Sequence, residues 1–358
     1  MLKTLINQRL QQIANSLLLN SNNIENIGLL NGKTGIALFL YHYANYTKND
    51  IYSKYADELI DEICKEVTEN TSINYNYIDG LAGFGTGIEY MVKKGFIEAD
   101  TNEVFEDVDN QIYNYANLDF IKSTDLNLGV CGIVKYFSAR LTNFNNERTD
   151  ITNLNKKNLE FIVDKLEKPY NTYLQLLSVI HVLSDNSLLN INARKAKAYL
   201  DYAIDKLETM VNEDFHFRKY PGTFNPLSTA LTLIQASEKL DKNEYSVRAL
   251  YFLNKYETDF RQYLDTDSND LVSGSIKWSL LYNYIGRKLQ NKIYIQISED
   301  WLNKALAEDN ESSMGILKGN AGIGLALLTL IDECSTDWFD LIPFYVESEK
   351  KSNIKFYH

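Results

Sequence analysis

Four short glycine units divide this chain. Gly32-Lys-Thr-Gly35-Ile36, Gly80-Leu-Ala-Gly83-Phe84, Gly129-Val-Cys-Gly132-Ile133 and Gly319-Asn-Ala-Gly322-Ile323 share the spacing Gly-x-x-Gly-apolar. The first three start 48 and 49 residues apart, and 190 residues separate Gly129 from Gly319, roughly four more steps of the same size. A recurring period of this length marks one supersecondary unit used repeatedly, each copy burying its apolar face on its neighbours.

Each period holds two helices of different character. The stretch Ile36–Tyr46 that follows the first unit is apolar nearly all round and predicts a buried helix. The next, Ile51–Val67, places Tyr52, Tyr55, Ala56, Leu59, Ile60, Ile63 and Val67 on one face and carboxylates on the other, which predicts an outer helix. The pair recurs as Ile88–Phe96 with Val104–Tyr115 and as Ile133–Leu141 with Leu154–Leu166. Between Gly132 and Gly319 the period predicts three weakened copies near positions 176, 224 and 271. Tyr173–Leu183, Leu227–Ala236 after Gly222-Thr-Phe-Asn225, and Trp278–Ile285 after Gly274-Ser-Ile-Lys277 fill those places. With Ile323–Ile331 the count of inner helices is seven. A glycine ahead of each helix is expected to let the backbone turn, and the second to let neighbouring helices approach. An open solenoid of the HEAT type has a similar period. However, its terminal repeats are polar caps, whereas here the first and last units are the best preserved, as a closed ring requires.

Bulk properties exclude several classes. A formal net charge of −12 argues against nucleic acid as a partner, since phosphate binding needs a basic footprint. No window approaches a membrane span, and Met1–Arg9 turns polar too soon for a secretory signal. Cys64, Cys131 and Cys334 are too widely spaced for a disulfide framework, and the cytoplasm is the expected location.

These units, set before inner helices along the whole chain, resemble the lanthionine synthetase C-like family. Gly28–Leu40 and Asp79–Gly87 look like its opening repeats, and the Gly319 unit followed by Asp337–Ile342 looks like its closing one. The resemblance implies an all-α fold, an α/α toroid of seven inner and seven outer helices, with residues 1–358 as a single domain. It also implies an activity, the addition of a peptide cysteine thiol to a dehydrated Ser or Thr to make a thioether. In the family a zinc ion held by a fifth-repeat Cys and a sixth-repeat Cys-His binds the thiolate; a coordinating metal deprotonates a thiol outright. By repeat register those ligands fall on Tyr220 and on Val272-Ser273-Gly274, none a normal zinc ligand. The four histidines are His42, His181, His216 and His358, and no Cys-His or Cys-x-x-Cys pair exists, so no metal and no cofactor is expected. A family Asp does survive as Asp125, four residues before Gly129.

Residues just ahead of the glycine units should converge on one mouth of the ring. Seven inner-helix N-termini there would favour negative charge, such as the enolate formed on thiolate addition. Candidate catalytic groups are Asp125 as general acid or base, Tyr220 as a hydrogen-bond donor and His216 as a base; each has a bland alternative as a loop residue. Candidate substrate-binding groups are Asp79, Ser273 and Lys318. Cys131, at a helix start that lowers a thiol pKa, reads more simply as a small core residue. His42 and His181 lie in apolar helices and read as core histidines. The expected partners are a dehydrated precursor peptide and a dehydratase. The competing readings are a non-catalytic scaffold for those partners and, more remotely, a carbohydrate-active toroid using Asp79 and Asp125 as a carboxylate pair.

Overall fold

The computed structural model describes residues 2–70, 72–117, 121, 123–142, 149–166, 169–213, 224–262, 264, 266–308 and 313–345. These fold into α1 (Leu2–Asn20), α2 (Lys33–Thr47), α3 (Asp50–Glu69), α4 (Leu81–Lys93), the short α5 (Thr101–Val104), α6 (Glu106–Asn117), α7 (Val130–Arg140) and α8 (Thr149–Asp164). There follow α9 (Tyr173–Leu183), α10 (Asn186–Glu213), α11 (Pro226–Leu240), α12 (Asn243–Gln262), α13 (Ser275–Lys288), α14 (Lys292–Ala307) and α15 (Asn320–Leu330).

Helices α2, α4, α7, α9, α11, α13 and α15 each pack on the next, and α15 packs back on α2. That closes an inner ring. Burial follows from the sequence pattern: every residue from Thr34 to Ala44 of α2 and from Ala321 to Thr329 of α15 is buried. Helices α3, α6, α8, α10, α12 and α14 form the outer layer; α3 turns only Ala56, Leu59, Ile60 and Ile63 fully inward. Among the described residues no outer α-helix follows the last glycine unit. α1 takes that place, burying Ile6, Leu10, Ile13, Ala14 and Leu17 against α15 and its neighbours. The first and last turns of the ring are thus stitched together, and the architecture is the α/α toroid.

Inner helices touch where a side chain is missing. A Cβ on Gly85 of α4 would lie 2.4 Å from the Tyr136 ring of α7, and one on Gly324 of α15 would lie 2.3 Å from the Phe39 ring of α2. Counting these glycines out of the apolar run predicts a start at Ile88 for the second inner helix. The helix in fact starts at Leu81, because glycines in its first turns serve contact rather than chain reversal.

The segment after α15 enters the ring. Trp338 Nε1 donates to Thr329 Oγ1 of α15 (2.9 Å), Tyr77 OH to the Leu341 carbonyl (3.0 Å) and Ser228 Oγ of α11 to the Phe344 carbonyl (2.8 Å). Asp340 takes ion pairs from Lys135 of α7 and Lys239 of α11, while His181 Nε2 of α9 lies 2.9 Å from its backbone carbonyl. A strap that meets α7, α9, α11, α15 and the loop before α4 lies along the axis. Burial would raise the Asp340 pKa, but the two lysines hold it well below the usual carboxylate range. His42 sits between Tyr90 OH and Cys334 Sγ, each 3.3 Å away, and burial lowers it to about 4.

Two stability predictions follow from these groups. Asp340→Asn leaves two lysines facing a neutral amide and should cost on the order of 3 kcal/mol in urea unfolding at neutral pH. His42 has a folded pKa below the unfolded 6.5, so folding excludes its proton. Stability is full above about pH 6.5 and falls toward pH 4, by roughly 3 kcal/mol from this group. Urea midpoints measured across that range should drop, and less steeply in His42→Asn.

Candidate functional site at the glycine mouth

Each glycine unit is the end of a loop that folds over the helix it starts. The first residue of the helix donates its N–H to a carbonyl seven residues back: Lys33 to Asn26 (2.9 Å), Leu81 to Asn74 (2.8 Å), Val130 to Ser123 (3.0 Å), Ser275 to Ser268 (2.9 Å) and Asn320 to Ser313 (2.7 Å). The loop carbonyls therefore serve as N-caps. The glycines exist for this overlap. A Cβ on the second glycine would stand 2.3 Å from the Leu29 carbonyl oxygen at Gly35, 1.9 Å from that of Tyr77 at Gly83 and 1.8 Å from that of Ile316 at Gly322. The first glycines are extended (φ −126°, ψ −167° at Gly32), a conformation open to any residue. The expectation that they supply a special turn is thus corrected: they supply room. Where the glycines are lost, side chains cap instead. Thr172 forms a capping box with Gln175 at α9, and Asn225 Oδ1 accepts from the N–H groups of Leu227 and Ser228 at α11, both 3.0 Å.

The loops are joined into a collar. Leu30 N–H donates to the Ile78 carbonyl (3.1 Å), Ile78 N–H to the Asn127 carbonyl (3.2 Å) and Leu271 N–H to the Leu317 carbonyl (2.9 Å). The Leu30 carbonyl accepts from Ile316 (2.8 Å) and Leu317 (3.1 Å), joining the seventh loop to the first.

Three carboxylates stand on this collar. Asp125, predicted as acid or base, has both oxygens in use: Oδ1 accepts from Leu128 N–H (2.9 Å) and Oδ2 from the Ser123 hydroxyl. Asp270 occupies the same register in the sixth loop. Its Oδ1 takes the N–H groups of Val272 (2.8 Å), Ser273 (2.8 Å) and Gly274 (3.1 Å), and its Oδ2 the Ser268 hydroxyl (2.6 Å). The sequence reading passed over Asp270, although Asp270-x-x-x-Gly274 repeats the spacing of Asp125-x-x-x-Gly129. Asp79 differs: Oδ1 accepts from Asn26 Nδ2 (2.8 Å) and Asn31 Nδ2 (3.1 Å), while Oδ2 has no hydrogen-bond partner among the described residues.

Asp79 and Asn31 are thus brought together, 48 residues apart in sequence. Lys318 is exposed and Ser273 is half-buried on the same collar, each directly ahead of its glycine. Tyr220 and His216 lie outside the described residues. Cys131 is fully buried, and burial, with Asp125 nearby, pushes its thiol well above the usual range. It is a core residue.

The residues at the sixth-repeat metal register do not fit zinc. The Val272 side chain is buried, Ser273 and Gly274 spend their N–H groups on Asp270, and neither sulfur nor imidazole is offered there. Among the described residues no three His, Cys, Asp or Glu side chains are grouped to hold a metal ion. The donors available for negative charge are fewer than seven free helix starts would offer, since a loop carbonyl occupies the first N–H of five inner helices.

Residues 2–120 match the model of the family described as lanthionine synthetase C-like protein. Over those residues the chain is similar to that family. That matched third holds the first two glycine units; across the full length the likeness is one of fold. A solved structure of nisin cyclase superposes with a TM-score of 0.70 at 14% identity, over 95% of this chain and 98% of that one. No curated protein matches the sequence. No helix among the described residues is long and apolar enough to cross a membrane.

The collar makes a separable prediction. Asp270→Ala strands three N–H groups and should cost about 2 kcal/mol in chemical denaturation. Asp270→Asn, which keeps an oxygen for them, should cost less than half as much.

Proposed function

We propose that this protein, as one toroid domain spanning residues 1–358, receives a ribosomally made, dehydrated peptide at the glycine mouth and closes thioether rings in it without zinc. One observation carries the reading: the toroid over 95% of this chain is that of a protein named nisin cyclase. The lanthionine synthetase C-like match over residues 2–120 adds to it, because Asp79 and Asn31 lie in that stretch. The absence of usable ligands at Val272-Ser273-Gly274 supports the zinc-free part. The substrate thiol then needs a proton acceptor from the mouth, where Asp79, Asp125, Ser273 and Lys318 stand and to which the sequence register also assigns Tyr220 and His216. A dehydratase is the partner that supplies the alkene acceptor, and the cytoplasm the compartment that keeps the thiol reduced.

The test uses the purified protein and a dehydrated, thiol-bearing precursor peptide encoded beside it. Free thiol should disappear faster than in buffer alone, at a rate unchanged by a metal chelator. No acceleration over buffer sinks the cyclase reading. Binding without acceleration instead selects the scaffold reading, which the capped helix starts and the Asp270-braced sixth loop favour.

A further inference from the structure

We propose that Asp79, not Asp125, is the proton carrier of the glycine mouth, and that Asp125 is a brace of its own loop. The inference rests on the cyclase reading above. It follows from counting the acceptor capacity of each carboxylate. A group that moves a proton to or from a substrate needs an oxygen that the substrate can reach. Asp125 has each oxygen turned into its own loop, one toward Leu128 N–H and the other toward the Ser123 hydroxyl, and its own N–H points back to Ser123 Oγ (3.3 Å), so neither oxygen is left unengaged as Asp79 Oδ2 is. Asp270, in the same register, is committed in the same way, which marks that register as architectural.

Asp79 sits three residues further along its loop, in the register of Asn31, Leu128, Ser273 and Lys318, directly before the glycine. Three of those four are exposed. Its backbone is fixed from both sides. Asn76 Oδ1 accepts its N–H (2.8 Å), and Gly28 packs so closely that a Cβ there would lie 2.4 Å from the Asp79 Cα. Two amide groups, from Asn26 and Asn31, grip Oδ1 and so aim Oδ2. Among the described residues no lysine or arginine pairs with it. The result is an oriented, half-buried carboxylate with one oxygen available to a bound peptide.

The chemistry balances with this one group. The thiol S–H bond breaks and its proton passes to Asp79 Oδ2. The S–Cβ bond forms as the Cα–Cβ π bond of the dehydroamino acid breaks, and its electron pair becomes the enolate. Asp79 then returns the proton to Cα. Nothing is oxidised or reduced, and no other reactant is consumed.

The test compares Asp79→Asn, Asp79→Glu and Asp125→Asn with the unaltered protein on the same dehydrated peptide. Asp79→Asn should bind the peptide within about threefold of the parent. Its single-turnover ring closure should slow by about 10²-fold or more, and the acid limb of the pH–rate profile should vanish. Asp79→Glu should restore part of the rate and that limb. Asp125→Asn, in which an amide oxygen still accepts from Leu128, should keep the limb and most of the rate. An Asp79→Asn protein that closes rings at the parent rate, or loses only binding, overturns the assignment and leaves the cyclase reading standing. A parent protein that closes no rings overturns both.

Discussion

The ring closes on a single carbonyl oxygen. Leu30 C=O accepts the N–H groups of Ile316 and Leu317, joining the seventh loop to the first over nearly 290 residues of chain. A long closure is entropically expensive, so that contact needs support, and the neighbouring packing supplies it. A Cβ on Gly315 would stand 2.7 Å from the Asn31 Cα, and one on Gly35 would stand 2.8 Å from Ile316 Cγ1. α1 spans the seam from outside and Phe39 lies against Gly324 within it. Closure is therefore built from the same elements that make the repeat: loops folded over helix starts, with glycine wherever two backbones must nearly touch.

That device has a chemical consequence. Helix N-termini attract anions chiefly through unpaired N–H groups in the first turn. In this toroid a loop carbonyl takes the first of those groups at α2, α4, α7, α13 and α15, and Thr172 and Asn225 take one and two of them at α9 and α11. The mouth keeps the orientation of seven helix dipoles but commits part of its first-turn donors to its own loops. Stability and reactivity compete for the same polar groups there, and Asp125 and Asp270 went to stability.

Much of the fold was legible because its cause is repetitive. The Gly-x-x-Gly period reports a steric need that recurs wherever a loop carbonyl crosses a helix start, and the all-round apolar runs report a ring with no solvent-facing side. α9 is bounded as its apolar run predicts, Tyr173 to Leu183. Helix starts were less legible. α4 begins seven residues before Ile88, since Gly83, Gly85 and Gly87 read as loop while their neighbours read as helix. The site was less legible again. Asp125 drew notice because it precedes a well-preserved glycine unit, and Asp270 did not because its unit has lost the second glycine. Only three-dimensional hydrogen bonding separates a carboxylate whose oxygens are spent from one with an oxygen to spare. His42 and His181 read as core histidines from their apolar helices, and they are; their partners, Cys334 and Asp340, lie 292 and 159 residues away and leave no local trace.

The segment after α15 fills the ring. Asp340 sits among Lys135, Lys239 and His181, residues from the middle and carboxyl ends of α7, α11 and α9. From there the strap reaches toward the glycine collar, where Tyr77 and Ser228 hold the Leu341 and Phe344 carbonyls. The ring is consequently filled rather than open, with Trp338, Phe339 and Phe344 stacked edge to face along it. The described clefts at the opposite end are lined by Arg287, Lys288, Lys93 and Lys239, cations in the last turns of α13, α4 and α11, where helix carbonyl ends call for them. Their partners Asp332, Glu238 and Asp340 neutralise most of that charge locally. Among the described residues directly ahead of the glycines, Asp79 is both charged and held in place by its neighbours.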